Sequence, residues 1–117
     1  MFEGRSMSRG LEAVYKLLTI EKGKAIYAYS GDNFSFPYDK QLARSYDGRI
    51  EITLSAFQEY NLNGELLDWS KINITKNCYY ADVTTFCVDI FALKTISNIM
   101  MKYKETQEIP QKGHWVV

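Results

Sequence analysis

Apolar and polar side chains alternate strictly from Arg49 to Leu54, and a similar beat resumes between Glu65 and about Thr75. Such period-two patterning marks strands with one buried face. Folding the chain back at Leu62-Asn63-Gly64, with Asn61 opposite Glu65, sets Ile52 against Ile74 and Leu54 against Ile72. Phe57 then meets Trp69 on the other side of the sheet, and Gly64 falls where a three-residue loop needs a left-handed residue. A slip by one residue would oppose Leu54 to Asn73 and Ile52 to Thr75, mixing apolar and polar side chains on both faces. The sequence therefore predicts an antiparallel pair whose polar face carries Glu51, Thr53, Ser55, Lys71, Asn73 and Thr75 beside the two rings.

Upstream, Leu11–Ile20 leads through Lys22-Gly23-Lys24 into Ala25-Ile26-Tyr27-Ala28-Tyr29, where rings alternate with small residues. This predicts a first hairpin. Val14, Leu17 and Leu18 would also share a helical face, but strand is the reading adopted for 11–18. Gly31-Asp32-Asn33 reads as a turn. The alternation Phe34, Phe36, Tyr38 reads as an edge strand, because Pro37 cannot donate a ladder bond. Residues 39–45 read as one helical turn or an extended crossover, and Asp47-Gly48 as a turn. Lys76–Tyr80 reads as a connection that packs down on the domain.

The last long element is predicted as a helix over 82–104, capped by Asp82 or Thr84, with Lys102 and Lys104 complementing the dipole of its final turn. Leu93, Ile96, Met100 and Tyr103 share one arc, and Lys94, Asn98 and Lys102 the other. Its first half also suits a buried strand, since Phe86, Val88 and Ile90 alternate with Cys87, Asp89 and Phe91. The tail His114-Trp115-Val116-Val117 is apolar enough to dock on the domain or on another chain. Residues 1–10 read as a disordered N-terminus, with Met7 as a second start or the first residues as an upstream remnant, and 11–117 as one α+β domain. The expected architecture is an antiparallel meander sheet of about four to six strands with one long C-terminal helix packed on one face.

Composition narrows the function classes. Among 117 residues, 46% are hydrophobic and 24% charged, which suits one packed domain. Aromatics reach 15%, with nine Tyr against six Phe, and tyrosine can be buried with its hydroxyl still bonded. Lys+Arg and Asp+Glu are 14 each. Zero net charge removes the basic excess of a general nucleic-acid binder, and it lessens repulsion between copies, so a homo-oligomer is compatible with it. The absence of a long apolar run or a leader pattern reads as a cytoplasmic protein with reduced thiols and no membrane partner.

Few residues suggest chemistry. Lys22–Tyr29 resembles the strand motif of RNA-recognition domains in opening on a basic residue and glycine before alternating aromatics. Lys24 and Ile26 stand where stacking rings would be needed, so a tight turn before a Tyr-lined strand is the reading kept. His114 is the natural general base, but it follows a proline and a glycine near the C-terminus. Cys87 as a nucleophile would need an activating base, and its apolar neighbours suit a structural thiol better; Cys78 has less context still. Two cysteines and one histidine fall short of a zinc site. The carboxylates Glu51, Glu59, Glu65, Asp68, Asp82 and Asp89 lack calcium-loop spacing, and Gly23, Gly31, Gly48 and Gly64 stand in separate turns. No cofactor is expected.

The strongest signal is Phe57 with Trp69 on a polar face, beside Lys71. An aromatic anchor with a polar rim is the composition of binding hot spots. The sequence thus points to a small cytoplasmic, non-enzymatic interaction protein of inhibitor, immunity or adaptor type, meeting another protein through a sheet face at Phe57, Trp69 and Lys71. The alternative is a small-ligand or nucleotide-binding domain, in which Tyr27, Tyr29, Phe36 and Tyr38 stack a base and Arg44 or Arg49 meets phosphate. An enzyme using His114 or Cys87 ranks last.

Overall fold

The computed structural model describes residues 11–33, 45–62, 67–79, 81 and 88–116. Strand β1 (Leu11–Glu21) turns at Lys22-Gly23 into β2 (Lys24–Asn33). Both turn residues have positive φ, 53° and 76°, as a two-residue hairpin demands if its twist is to match the strands. Tyr15 pairs with Tyr29 and Leu17 with Tyr27, and a bulge follows between Leu17 and Thr19. The expected first hairpin is present. Its second strand runs further than the glycine suggested: Gly31 and Asn33 pair with Ala13 and Leu11 instead of turning.

Strand β3 (Gly48–Thr53) pairs with β2, and β4 (Ile72–Lys76) pairs with β3. With β5 (Lys112–Val116) added beside β1, the five-stranded antiparallel sheet has the order β4-β3-β2-β1-β5. Together with the long helix described below, this is the α+β architecture read from the sequence.

The second hairpin differs from expectation in two ways. Ile50 opposes Ile74 and Ile52 opposes Ile72, a shift of two residues from the predicted register. An even shift leaves every side chain on its own face, so alternation excludes the odd slip and is blind to the even one. The chain also leaves the sheet after Thr53 and forms helix α1 (Leu54–Leu62). Ala56, Phe57 and Tyr60 are all buried, and the spacing i, i+1, i+4 places them on one helical side, whereas a strand would split Ala56 from Phe57. On the returning limb, Trp69–Lys71 is a single 3-10 turn, so β4 starts at Ile72 and not at Glu65. The positions for which the Asn63-Gly64 turn and the Phe34–Tyr38 strand were expected lie outside the described residues, as do 39–44 and 1–10.

Helix α2 (Ile90–Thr106) crosses the inner face of the sheet. Its cap is Asp89, whose Oδ1 accepts the Ala92 N–H at 3.1 Å, in place of the predicted Asp82 or Thr84. Residues 82–87, for which helix was expected, lie outside the described residues. Gln107 closes the helix in the left-handed region (φ 61°), its N–H bonded to the Tyr103 carbonyl at 2.6 Å. Phe91, Ala92, Thr95, Ile96, Ile99 and Met100 form the buried stripe, and Leu93 sits beside that stripe, only half-buried.

Three tyrosines make the centre of the core. Tyr15, Tyr27 and Tyr29 are wholly buried, and each hydroxyl has an acceptor: Asn98 Oδ1 at 2.5 Å, the Pro110 carbonyl at 2.6 Å, and Asp89 Oδ2 respectively. A buried phenol without such an acceptor would be costly. Two of the rings lie over glycines directly across the ladder, Tyr29 over Gly48 and Tyr15 over Gly113. A Cβ at Gly48 would stand 2.3 Å from Tyr29 Cε1, and one at Gly113 2.2 Å from Tyr15 Oη.

The tail docks on its own domain. Trp115 packs near Phe91, with centroids 6.3 Å apart, and donates its indole N–H to Thr95 Oγ1 at 2.9 Å. No described helix is long and apolar enough to cross a membrane.

Candidate functional site

The sheet's outer face is polar around β3, and there the 3-10 turn builds a hollow. Asp68 caps the turn, its Oδ1 accepting from the Ser70 N–H at 3.0 Å and the Ser70 hydroxyl at 2.6 Å. Those two bonds, side chain first, hold the Asp68 carboxyl below its ordinary pKa. Lys71 is drawn back by Glu59 of α1, and Lys24 meets Glu51 across β2 and β3 at 3.5 Å. Between these pairs lies an open cavity of about 290 Å³, lined by Lys24, Glu51, Thr53, Lys71 and Asn73 among others. Its charged lining residues are paired, and the others, Thr53, Ser70, Ile72 and Asn73, carry no charge.

Lys71 and Trp69 share one 3-10 turn, as surface residues of the kind the sequence reading required, and Lys71 lines this hollow. Trp69 keeps 49% of its surface exposed. Phe57 is not with them. It is 1% exposed, its ring 5.1 Å from that of Tyr103 beneath the sheet. The predicted Phe57–Trp69 pair does not form, because α1 replaces the strand that would have carried Phe57 outward.

The base-stacking proposal loses two of its rings in the same way. Tyr27 and Tyr29 face inward and are buried, while Phe36, Tyr38 and Arg44 lie outside the described residues. The guanidinium of Arg49 donates to the carbonyls of Tyr46 and Gly48, the latter at 2.8 Å.

The candidate reactive groups separate. His114 stands on β5, in the tail that the sequence expected to dock, with its Nε2 2.7 Å from Glu12 Oε2 on β1. It borders a groove of about 380 Å³ that also exposes Tyr46, Lys102 and Lys112. Cys78 is buried beside Asp89, which accepts the Cys78 N–H at 3.1 Å. Burial first, then the neighbouring Asp89 charge, pushes its thiol pKa up, so the thiol stays protonated and is a poor nucleophile. Cys87 lies outside the described residues. Of the carboxylates, Glu51 lines the hollow, Glu59 pairs with its Lys71, Asp68 bonds its Ser70, and Asp89 is buried as cap and core acceptor; Glu65 and Asp82 lie outside the described residues. No group of three or more metal-ligating side chains occurs among the described residues.

Sequence reasoning missed Asp89 and the Glu12–His114 pair. The Asp89 signal was present, since Asp89 precedes the first residue of a clean amphipathic stripe. The Glu12–His114 contact spans 102 positions, and nothing local announces it. Comparison of the chain with protein-family models, curated proteins and solved structures found no match.

Proposed function

We propose that this chain is a non-enzymatic interaction protein, of inhibitor, immunity or adaptor type, that binds another protein through the outer face of β3 and β4. The observation that carries the reading is Trp69, an indole left half exposed in the 3-10 turn whose next two residues, Ser70 and Lys71, line a polar hollow with its own charges already paired. A partner covering it would gain the apolar area of a large, stiff ring, about 25 cal/mol for each Å² removed from water. The paired lysines and carboxylates would form the polar rim that shields such a contact. A cytoplasmic setting suits the free, buried Cys78 thiol. Affinity capture from the native cytoplasm, read by mass spectrometry, tests the proposal. Wild-type chain should retain a protein that Trp69→Ala, with unchanged melting temperature, does not. Equal recovery by the folded variant refutes it.

A further inference from the structure

Strand β5 bonds to β1 on one side and closes one end of the sheet. Leu17 donates its N–H to the Gln111 carbonyl at 2.7 Å, which makes Leu17 and Gln111 a bonding pair. Bonding and non-bonding pairs alternate along an antiparallel ladder, so the next bonding pairs are Tyr15 with Gly113 and Ala13 with Trp115. The N–H and C=O groups of Lys112, His114 and Val116 therefore point away from β1. Among the described residues no strand meets them.

Two hollows follow this open edge, of about 380 and 210 Å³, and Lys102 and Lys112 line both. Lys102 reaches the edge from α2, on the inner side of the sheet. Lys112 lies on the outer side, in register with Lys16, whose ammonium is 4.3 Å from the centroid of the Tyr46 ring. None of these three lysines has a carboxylate within ion-pair distance among the described residues. Of the carboxylates nearby, Glu12 is held by His114, and Glu108 lines the smaller hollow without an ion pair to Lys102 or Lys112.

We propose that the β5 edge takes up an extended, acidic segment of a partner protein, which adds a strand to the sheet and sets its carboxylates on Lys102 and Lys112. Outward main-chain groups supply the ladder, and side chains alternating along the added strand supply selectivity. Because successive side chains point to opposite faces, acidic residues of one parity meet Lys102 and those of the other meet Lys112 and Lys16. A second copy of this chain is a poorer occupant, since edge-to-edge pairing would bring both lysine clusters together. This site is at the opposite edge from Trp69 and does not depend on the reading given above.

Fluorescence anisotropy with a labelled peptide alternating Glu and Val tests the proposal, with a Lys-for-Glu peptide and a single-stranded oligonucleotide as rival probes. The acidic peptide should bind saturably and more weakly as salt rises, and its binding should slow amide exchange at Lys112, His114 and Val116. K102E/K112E should lower its affinity at least tenfold. His114→Pro, which removes an outward N–H that β1 does not use, should abolish binding in a chain that still folds. Trp69→Ala should bind the peptide as wild type does. Undiminished binding by folded K102E/K112E, no new protection at the three amides, preference for the oligonucleotide, or loss of binding in Trp69→Ala would each overturn it.

Discussion

Tyr29 donates its hydroxyl to the carboxylate of Asp89, sixty positions along the chain, and that contact joins the middle of the sheet to the start of α2. Asp89 is buried, and it also accepts the N–H groups of Ala92 and Cys78, both at 3.1 Å. One side chain thus caps a helix, fixes the connection after β4 and satisfies a phenol.

Replacing Asp89 by Ala should be among the most destabilising single changes in the protein. The lost cap costs about 1 kcal/mol, and each buried donor left without an acceptor adds about 1–3 kcal/mol. Urea denaturation should place Asp89→Ala well below wild type. The Tyr29→Phe, Asp89→Ala double variant should fall short of the summed single losses, since the two residues share a bond. Full additivity would mean that they act independently.

The ring-over-glycine contacts predict a different kind of damage. A methyl at Gly113 would lie inside the van der Waals radius of the Tyr15 hydroxyl, so Gly113→Ala should cost about 1–3 kcal/mol through overpacking. Adding Tyr15→Leu should recover part of that loss by clearing the space. Thermal melts of the two variants decide the matter, and an unchanged melting temperature for Gly113→Ala would contradict the packing described.

Phe57 and Trp69, paired in the sequence reading, should behave oppositely on truncation. Phe57→Ala empties a packed site and should cost about 3–5 kcal/mol. Trp69→Ala touches an exposed ring and should stay within about 0.5 kcal/mol of wild type. Equal costs in a denaturation series would restore the two rings to one environment.

Alkaline pH should unfold the chain through its inner tyrosines. Burial raises Tyr15 from the ordinary 10.0 to about 12. Burial likewise raises Tyr27, with Tyr15 adding to it, and Tyr29, where the Asp89 bond and charge add. The folded state holds these protons after the unfolded state has lost them, so the stabilisation is complete below about pH 10 and fades as pH climbs toward 12 and beyond. Urea midpoints measured against pH should decline over that window, less steeply in Tyr15→Phe. Folded chain whose buried tyrosinate absorbance develops at ordinary phenol pH would contradict this.

The sheet was legible in the sequence where alternation was strict and a turn residue fixed the register. Gly23 after Lys22 set the β1–β2 hairpin, and Ile50, Ile52, Ile72 and Ile74 marked the inner face of β3 and β4. The even register shift was not legible, because a period of two cannot count pairs. Nor was α1: Leu54-Ser55-Ala56-Phe57 continues an alternating strand as readily as it begins a helix, and burial of Phe57 against Tyr103, remote in sequence, decides between them. Of the candidate site, the surface placement of Trp69 was legible because a tryptophan among polar neighbours is informative locally. The lysines along β5 were not, since Lys16, Lys102 and Lys112 converge only after the tail pairs with β1.

Hydrogen exchange on the chain alone and bound to its captured partner tests the interaction account most directly. Slowed exchange is expected over residues 69–73 and the outer face of β3. Protection confined to the β1–β2 turn or to the exposed side of α2, with residues 69–73 exchanging as in the free chain, would contradict it.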